Sequence, residues 1–204
     1  GLKDVLLVRT TGHVDYDQFR QQLRAISHCL LNDQIIEITY RAAWRGEKYA
    51  TRVDPYHLLY FDGDLYLVGR SHRSDGLRMF KLPRIESAES TGETFKRPAD
   101  TKIERQLASG FGVMLGRGPE TDVTVRFSGP EARLVEEREW HPSQRLEPDG
   151  DDAIVAHYKL RDLVELKRWV RSFGPAATVL SPESLANEMA ADLKRGLENC
   201  DCVW

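Results

Sequence analysis

No apolar run in this 204-residue chain approaches the roughly 20 residues that a helix needs to cross a bilayer. No secretory hydrophobic segment opens it either, so a cytoplasmic location with no membrane partner is the expectation. Cysteine is scarce. Cys29, Cys200 and Cys202 make an odd count that builds no disulfide framework and suits a reducing compartment. Cys200 and Cys202 have no Cys/His partner pair at ligand spacing, and Asp149-Gly150-Asp151-Asp152 lacks the closing Glu of a calcium loop, so no metal or cofactor is expected. Also absent are H-E-x-x-H, a Walker loop, a dinucleotide fingerprint and a nucleophile elbow. Ser71-His72 is only a sequence adjacency, and Gly110 to Gly116 lacks the spacing of a phosphate loop. The chain reads as a non-enzyme.

What is present suffices for packed cores: 41% of residues are apolar, ordinary for a globular protein. Charge is unevenly spread. Residues 41–84 hold nine Lys/Arg against five Asp/Glu, a net +4, whereas residues 120–198 hold 11 against 16, a net −5. Such separation marks an anion site on the first half, or two surfaces that dock on each other or on a second copy.

Periodicity divides the chain into four parts. Residues 1–33 are an irregular linker followed by a helix from Tyr16 to Leu31, with Phe19, Leu23, Ile26 and Leu30 on one face and Asp15 or Asp17 as cap. Residues 34–97 hold five short alternating strands, at Gln34–Arg41, Tyr49–Val53, Tyr56–Phe61, Leu65–Arg70 and Leu77–Leu82. Asp54-Pro55 breaks the second from the third, Asp62-Gly63 is a tight turn, and Pro83-Arg84-Ile85 leaves the sheet. This pattern predicts a small β-barrel of the Sm or SH3 kind. Residues 98–119 form a connector bent by Gly110, Gly112, Gly116 and Gly118, with a short helix over 101–108. Residues 120–204 read β-α-β-β-α-β plus a final helix, the order of a ferredoxin-like sandwich. The elements expected there are strands at Asp122–Phe127, Glu139–Leu146, Ala153–Leu160 and Thr178–Leu180, and helices from Pro130, from Asp162 and over 182–197. The fold class is therefore α+β.

Alternation also sorts the fourth barrel strand. Leu65, Leu67 and Gly69 make the better core face, which leaves Tyr66, Val68 and Arg70 outward. Arg78 and Lys81 then point to opposite faces unless their strand bends. Arginine forks grip phosphates in pairs of hydrogen bonds, and aromatic faces stack on any base.

The first half resembles the WYL domain of bacterial transcriptional regulators. The likeness rests on Val53-Asp54-Pro55-Tyr56-His57-Leu58, Gly63-Asp64-Leu65-Tyr66-Leu67-Val68-Gly69 and Arg78 to Ile85. The second half is similar to the C-terminal extension that follows that domain, through Trp140-His141-Pro142-Ser143-Gln144, Leu160 to Trp169, Ser172 to Ala176 and Val179-Leu180. The resemblance covers about residues 15–200. The family's Trp-Tyr-Leu is Leu65-Tyr66-Leu67 here, a swap on the core face. The family's N-terminal helix-turn-helix has no counterpart in the sequence: either a segment precedes the opening Gly1, or the protein works without DNA-reading apparatus of its own. The resemblance implies an Sm-like ligand sensor, a homodimer and a nucleic-acid effector such as short single-stranded DNA. It implicates Tyr66, Arg70, Arg78, Lys81 and Arg84, with Arg52, His57 and His72 as additions from neighbouring strands and loop. A sensor of a nucleotide second messenger and a dimerisation or partner-docking module without ligand are the alternatives.

Overall fold

A computed structural model describes residues 12–43, 46–99, 103–116 and 118–200. The Thr10-Thr11-Gly12 turn and Cys202 fall wholly or partly outside them. The chain divides into two compact units, residues 1–101 and 102–204, each α+β with one antiparallel sheet.

In the first unit, a 3-10 turn over Tyr16–Phe19 leads into α1 (Arg20–Leu31). The cap is Asp15, whose carboxylate accepts from the Asp17 N–H at 3.0 Å. Five strands follow: β1 (Gln34–Arg41), β2 (Lys48–Phe61), β3 (Asp64–Ser71), β4 (Gly76–Lys81) and β5 (Ile85–Thr94), in the sheet order β4-β3-β2-β1-β5. Asp62 and Gly63 both take positive φ, 47° and 83°, as the two-residue β2–β3 turn demands.

The sequence expectation is corrected twice here. Asp54-Pro55 does not end a strand: β2 runs through it with a bulge, because the register passes from Pro55↔Gly69 to His57↔Val68 and leaves Tyr56 without a partner. Nor does the chain leave the sheet at Pro83-Arg84-Ile85. A 3-10 turn at Leu82–Arg84 feeds β5, which pairs with β1 from Tyr40↔Ile85 to Gln34↔Thr94. β5 reads IESAESTGET, too polar for an alternating signal, and only Ile85 of it is buried.

β4 and β5 are the two outer strands, yet only three residues separate them. The sheet must therefore roll, and Tyr40 of β1 shows that it does. Its ring meets Phe80 of β4 at 5.1 Å, edge to face, and its hydroxyl accepts from the Lys81 N–H at 3.3 Å. Ile26 and Cys29 of α1 pack with Ile36, Ile38, Val53, Leu67, Phe80, Leu82 and Ile85 inside the roll. Full burial of each such aliphatic side chain contributes about 1.5–3 kcal/mol.

The second unit begins with α2 (Ile103–Leu107). Its other elements are β6 (Thr121–Ser128), α3 (Pro130–Glu136), β7 (Arg145–Pro148), β8 (Ala153–Leu160), α4 (Val164–Arg171), β9 (Ala177–Ser181) and α5 (Glu183–Cys200), with sheet order β7-β8-β6-β9. Val123, Val125 and Phe127 of β6 share one core with Val135 of α3, Leu166 and Val170 of α4, and Leu185 and Met189 of α5. The alternate β6 residues, Asp122, Thr124 and Arg126, lie on the other face. No helix of the described residues is long and apolar enough to cross a membrane.

Two expectations change in this unit. Residues 139–144 are loop, so β7 starts only at Arg145. Leu193 does not continue the buried stripe of α5; with Leu197 it is 64% exposed. The connector bends at Gly112 and Gly118 as expected, although none of the glycines 110, 112, 116 and 118 takes positive φ. At Gly116 the requirement is instead close approach, since a Cβ there would sit 2.4 Å from Arg161 Cβ. The connector is strapped to the unit: Glu165 accepts from the Val113 and Met114 N–H groups at 3.1 and 2.8 Å, and Ser109 O accepts from the Arg161 N–H at 2.8 Å.

His141 lies buried beneath this strap, its ring parallel to Phe111 at 6.4 Å. Burial holds its pKa below the ordinary 6.5. As pH falls through about 6.5 the unfolded chain binds a proton that the folded unit refuses. Stability should thus decline from there down to the lower folded pKa and level off below it. A His141→Gln variant is expected to melt with a flatter pH profile over that window; an unchanged profile would contradict this role.

Candidate ligand-binding face

The bulge in β2 decides which side chains share a face. Asp54 and His57 are three apart and would oppose each other in a regular strand. With Tyr56 looped out, Asp54 pairs with Arg70, His57 with Val68 and Leu59 with Tyr66. Directly paired residues lie on one side of an antiparallel sheet. Across β4 the rows continue as Lys81↔Tyr66, Met79↔Val68 and Leu77↔Arg70. Tyr66, Arg70, Lys81 and His57 therefore share the outward face with Asp54. Arg78 pairs with Gly69 on the inward side, near Tyr49. The face is not open throughout, because Val68 is fully buried.

The cations on this face already hold carboxylates. Arg70 donates to Asp75 at 2.6 Å and lies 3.6 Å from Asp54, and His72 Nε2 is 2.6 Å from the other Asp54 oxygen. Lys81 reaches Asp64 at 2.5 Å, and Arg52 reaches Glu93 at 2.6 Å. The Asp75 hydrogen bond raises the Arg70 pKa above its ordinary value, and Glu93 does the same to Arg52. Arg78 donates to the Leu77 carbonyl at 2.7 Å. Arg84, half-buried in the turn after β4, and exposed His57 make no hydrogen bond or ion pair among the described residues.

Sequence reasoning collected the cations and missed what holds them. Asp54 is 5% exposed and bridges Arg70 to His72, which positions both. Its signal was the pair Asp54-Pro55, read as a breaker and as part of the family likeness but not as a bridge. Arg73 was missed as well; its guanidinium lies 4.3 Å above the Tyr49 ring, a cation–π contact. Among the described residues no group of three or more His, Cys, Asp or Glu could hold a metal ion.

Comparison with known families fits both units. The WYL domain model matches residues 21–90, and the WCX domain model matches residues 119–197. The chain carries a WYL domain and a WCX domain. The chain is similar to Protein PafC of Mycobacterium tuberculosis, 28% identical over 167 residues, which are 81% of this chain and 50% of PafC. Protein PafB of the same organism is 28% identical over 166 residues, 79% of this chain and 48% of PafB. The chain thus spans about half the length of the curated relatives it matches. Among solved structures, a CRISPR Cas-related protein aligns over 92% of this chain and 54% of its own, with TM-score 0.61 and 16% identity, a likeness of fold alone. Proteasome accessory factor B/C of Arthrobacter aurescens aligns over 89% of this chain and 27% of its own, with TM-score 0.40 and 23% identity.

Proposed function

We propose that the chain is the effector-sensing and dimerising region of a bacterial transcription regulator, cytoplasmic and without enzymatic activity. On this reading the rolled first sheet is an Sm-like barrel and the second unit a ferredoxin-like sandwich, with strand orders that suit both. The domains are residues 34–97 and 120–204, behind a leading segment 1–33 and joined by a connector over 98–119. The effector is a nucleic acid, short single-stranded DNA. The observation that carries this is the shared face of Tyr66, Lys81 and Arg70, with His57 and His72 at its border. A base stacks on Tyr66 while phosphates meet Lys81 and Arg70, with Arg52 and Arg84 as outlying contacts; Arg78, on the inward side, is left out of the contact set.

The carboxylates now paired with these cations do not block such a ligand. The exposed pairs of Arg70 with Asp75 and of Arg52 with Glu93 are screened by solvent and weak, while Lys81–Asp64 is more buried and the harder to exchange. A phosphate, which makes charge-assisted hydrogen bonds of its own, can displace them. Asp75, Asp64 and Glu93 then act as place-holders that keep the cations oriented in the empty state. Binding favours one dimer arrangement, and by linkage that changes the DNA affinity of a helix-turn-helix elsewhere in the full protein.

A thermal-shift panel separates the readings, since a ligand that binds only the folded form raises the melting temperature. Short single-stranded oligonucleotides are expected to raise it. A rise with cyclic dinucleotides alone would favour a second-messenger sensor. No rise with either would favour a docking module and overturn the effector reading.

A further inference from the structure

The outer face of the second sheet holds a cleft that the first unit's chemistry does not involve. Three strands place Arg145, His157 and Thr124 side by side in one row, and Lys159 opposite Asp122 in the next. At the sheet's margin Ser143 stands in for a strand residue: its Oγ accepts from the Lys159 N–H at 2.8 Å. The loop that carries Ser143 walls a cleft of about 420 Å³ above these rows, a size within the range of small-molecule sites.

Two features distinguish the cleft from a solvated sheet. His157 Nδ1 lies 3.3 Å from Thr124 Oγ1, but its Nε2 is shielded from water and makes no hydrogen bond. The closest carboxylate oxygen paired with it, Glu147 Oε2, is 3.5 Å away, at the outer limit for such a bond. A shielded polar atom without a hydrogen bond is costly, and a small turn of the ring away from Glu147 would expose Nε2 to a ligand in the cleft and relieve it. Second, the cations here are under-compensated. Arg145 is exposed and makes no hydrogen bond or ion pair among the described residues, and Lys159 approaches Asp122 only to 3.8 Å.

We propose that this cleft binds a small metabolite through one anionic group, a phosphate or a carboxylate, held between Arg145 and Lys159 and touching His157 Nε2. A nucleic-acid strand fits it poorly. The row offers no phenyl or indole face for bases, since Tyr158 is buried in the core, and Asp122 and Glu147 flank the cations where a polyanion would continue. A compact ligand places a single anion among the donors, with hydroxyl or amino groups directed at the two carboxylates.

The test is nuclear magnetic resonance of the whole chain with labelled histidine, titrated with inorganic phosphate and separately with acetate at constant ionic strength and pH. The His157 ring signals are expected to follow a saturable curve with at least one anion; which anion acts tells a phosphoryl from a carboxyl ligand. Arg145→Ala should weaken that response about tenfold or more. Arg126→Ala, whose guanidinium is tied to Asp149 at 2.6 Å, should leave it intact. A linear, non-saturating drift, or a response that Arg145→Ala does not weaken, would overturn the proposal. Neither result bears on oligonucleotide binding by the first unit.

Discussion

Gly69→Ala is expected to destabilise the first unit by about 3 kcal/mol, near the upper end of what overpacking usually costs. A Cβ at Gly69 would lie 2.3 Å from the Asp54 carbonyl oxygen and 2.7 Å from Val53 Cγ1. The first is backbone and cannot rotate away, so β2 and β3 must part at the bulge. For a unit of this size, that corresponds to a fall in melting temperature of roughly 12 °C or more. The same movement would displace Asp54, and with it Arg70 and His72, so the ligand face should be lost with the stability. Gly12→Ala is the control: a Cβ there meets nothing within 4 Å, and a change within about 0.5 kcal/mol is expected. Thermal melts of the two variants decide the matter, and equal melting temperatures would refute the close-approach argument.

Trp169→Ala should cost the second unit about 3–5 kcal/mol, the range for removing a large core aromatic. The indole is the hub of an aromatic cluster. Its ring centre lies 4.8 Å from that of Phe111, 4.9 Å from Trp140, 5.0 Å from Phe173, 5.3 Å from Phe127 and 6.1 Å from Tyr158. Phe111 belongs to the connector, so the cavity would also loosen the strap held by Glu165. Hydrogen exchange at the Val113 and Met114 amides should therefore accelerate beyond what global destabilisation predicts. Trp169→Phe should recover a large share of the loss. If the alanine variant melts like the parent, the cluster is not the unit's core.

The sequence made some elements legible and hid others for physical reasons. α1, β1 and the Asp62-Gly63 turn announce themselves because burial on one side imposes a period and a tight turn imposes a residue type. β5 was hidden because its partner β1 supplies the apolar side of the pairing, and its own residues are nearly all polar. Asp54-Pro55 looked like a break because a bulge and a terminus both tolerate a residue that cannot donate. Alternation made the outward place of Arg70 and Tyr66 readable, and the opposition of Arg78 and Lys81, but not the full burial of Val68 between them. Asp54 itself was not, since its value as a bridge arises only when the bulge brings it opposite Arg70. The connector glycines were read as bends, and the chain does bend at Gly112 and Gly118; hidden from the sequence was the proximity of Glu165 to Gly112 and of Arg161 to Gly116 and Gly118, residues some 50 positions away.

The central claim is that the face of Tyr66, Arg70 and Lys81 receives a single strand of nucleic acid. The most direct measurement is fluorescence anisotropy of a labelled short oligonucleotide against the chain at several salt concentrations, for the parent and for Tyr66→Ala. The affinity is expected to fall steeply as salt rises, through release of counterions from the phosphates. Tyr66→Ala is expected to lose about tenfold, within the roughly 1–3 kcal/mol that a base–aromatic stack contributes. An affinity indifferent to salt, or one that Tyr66→Ala leaves unchanged, would contradict it.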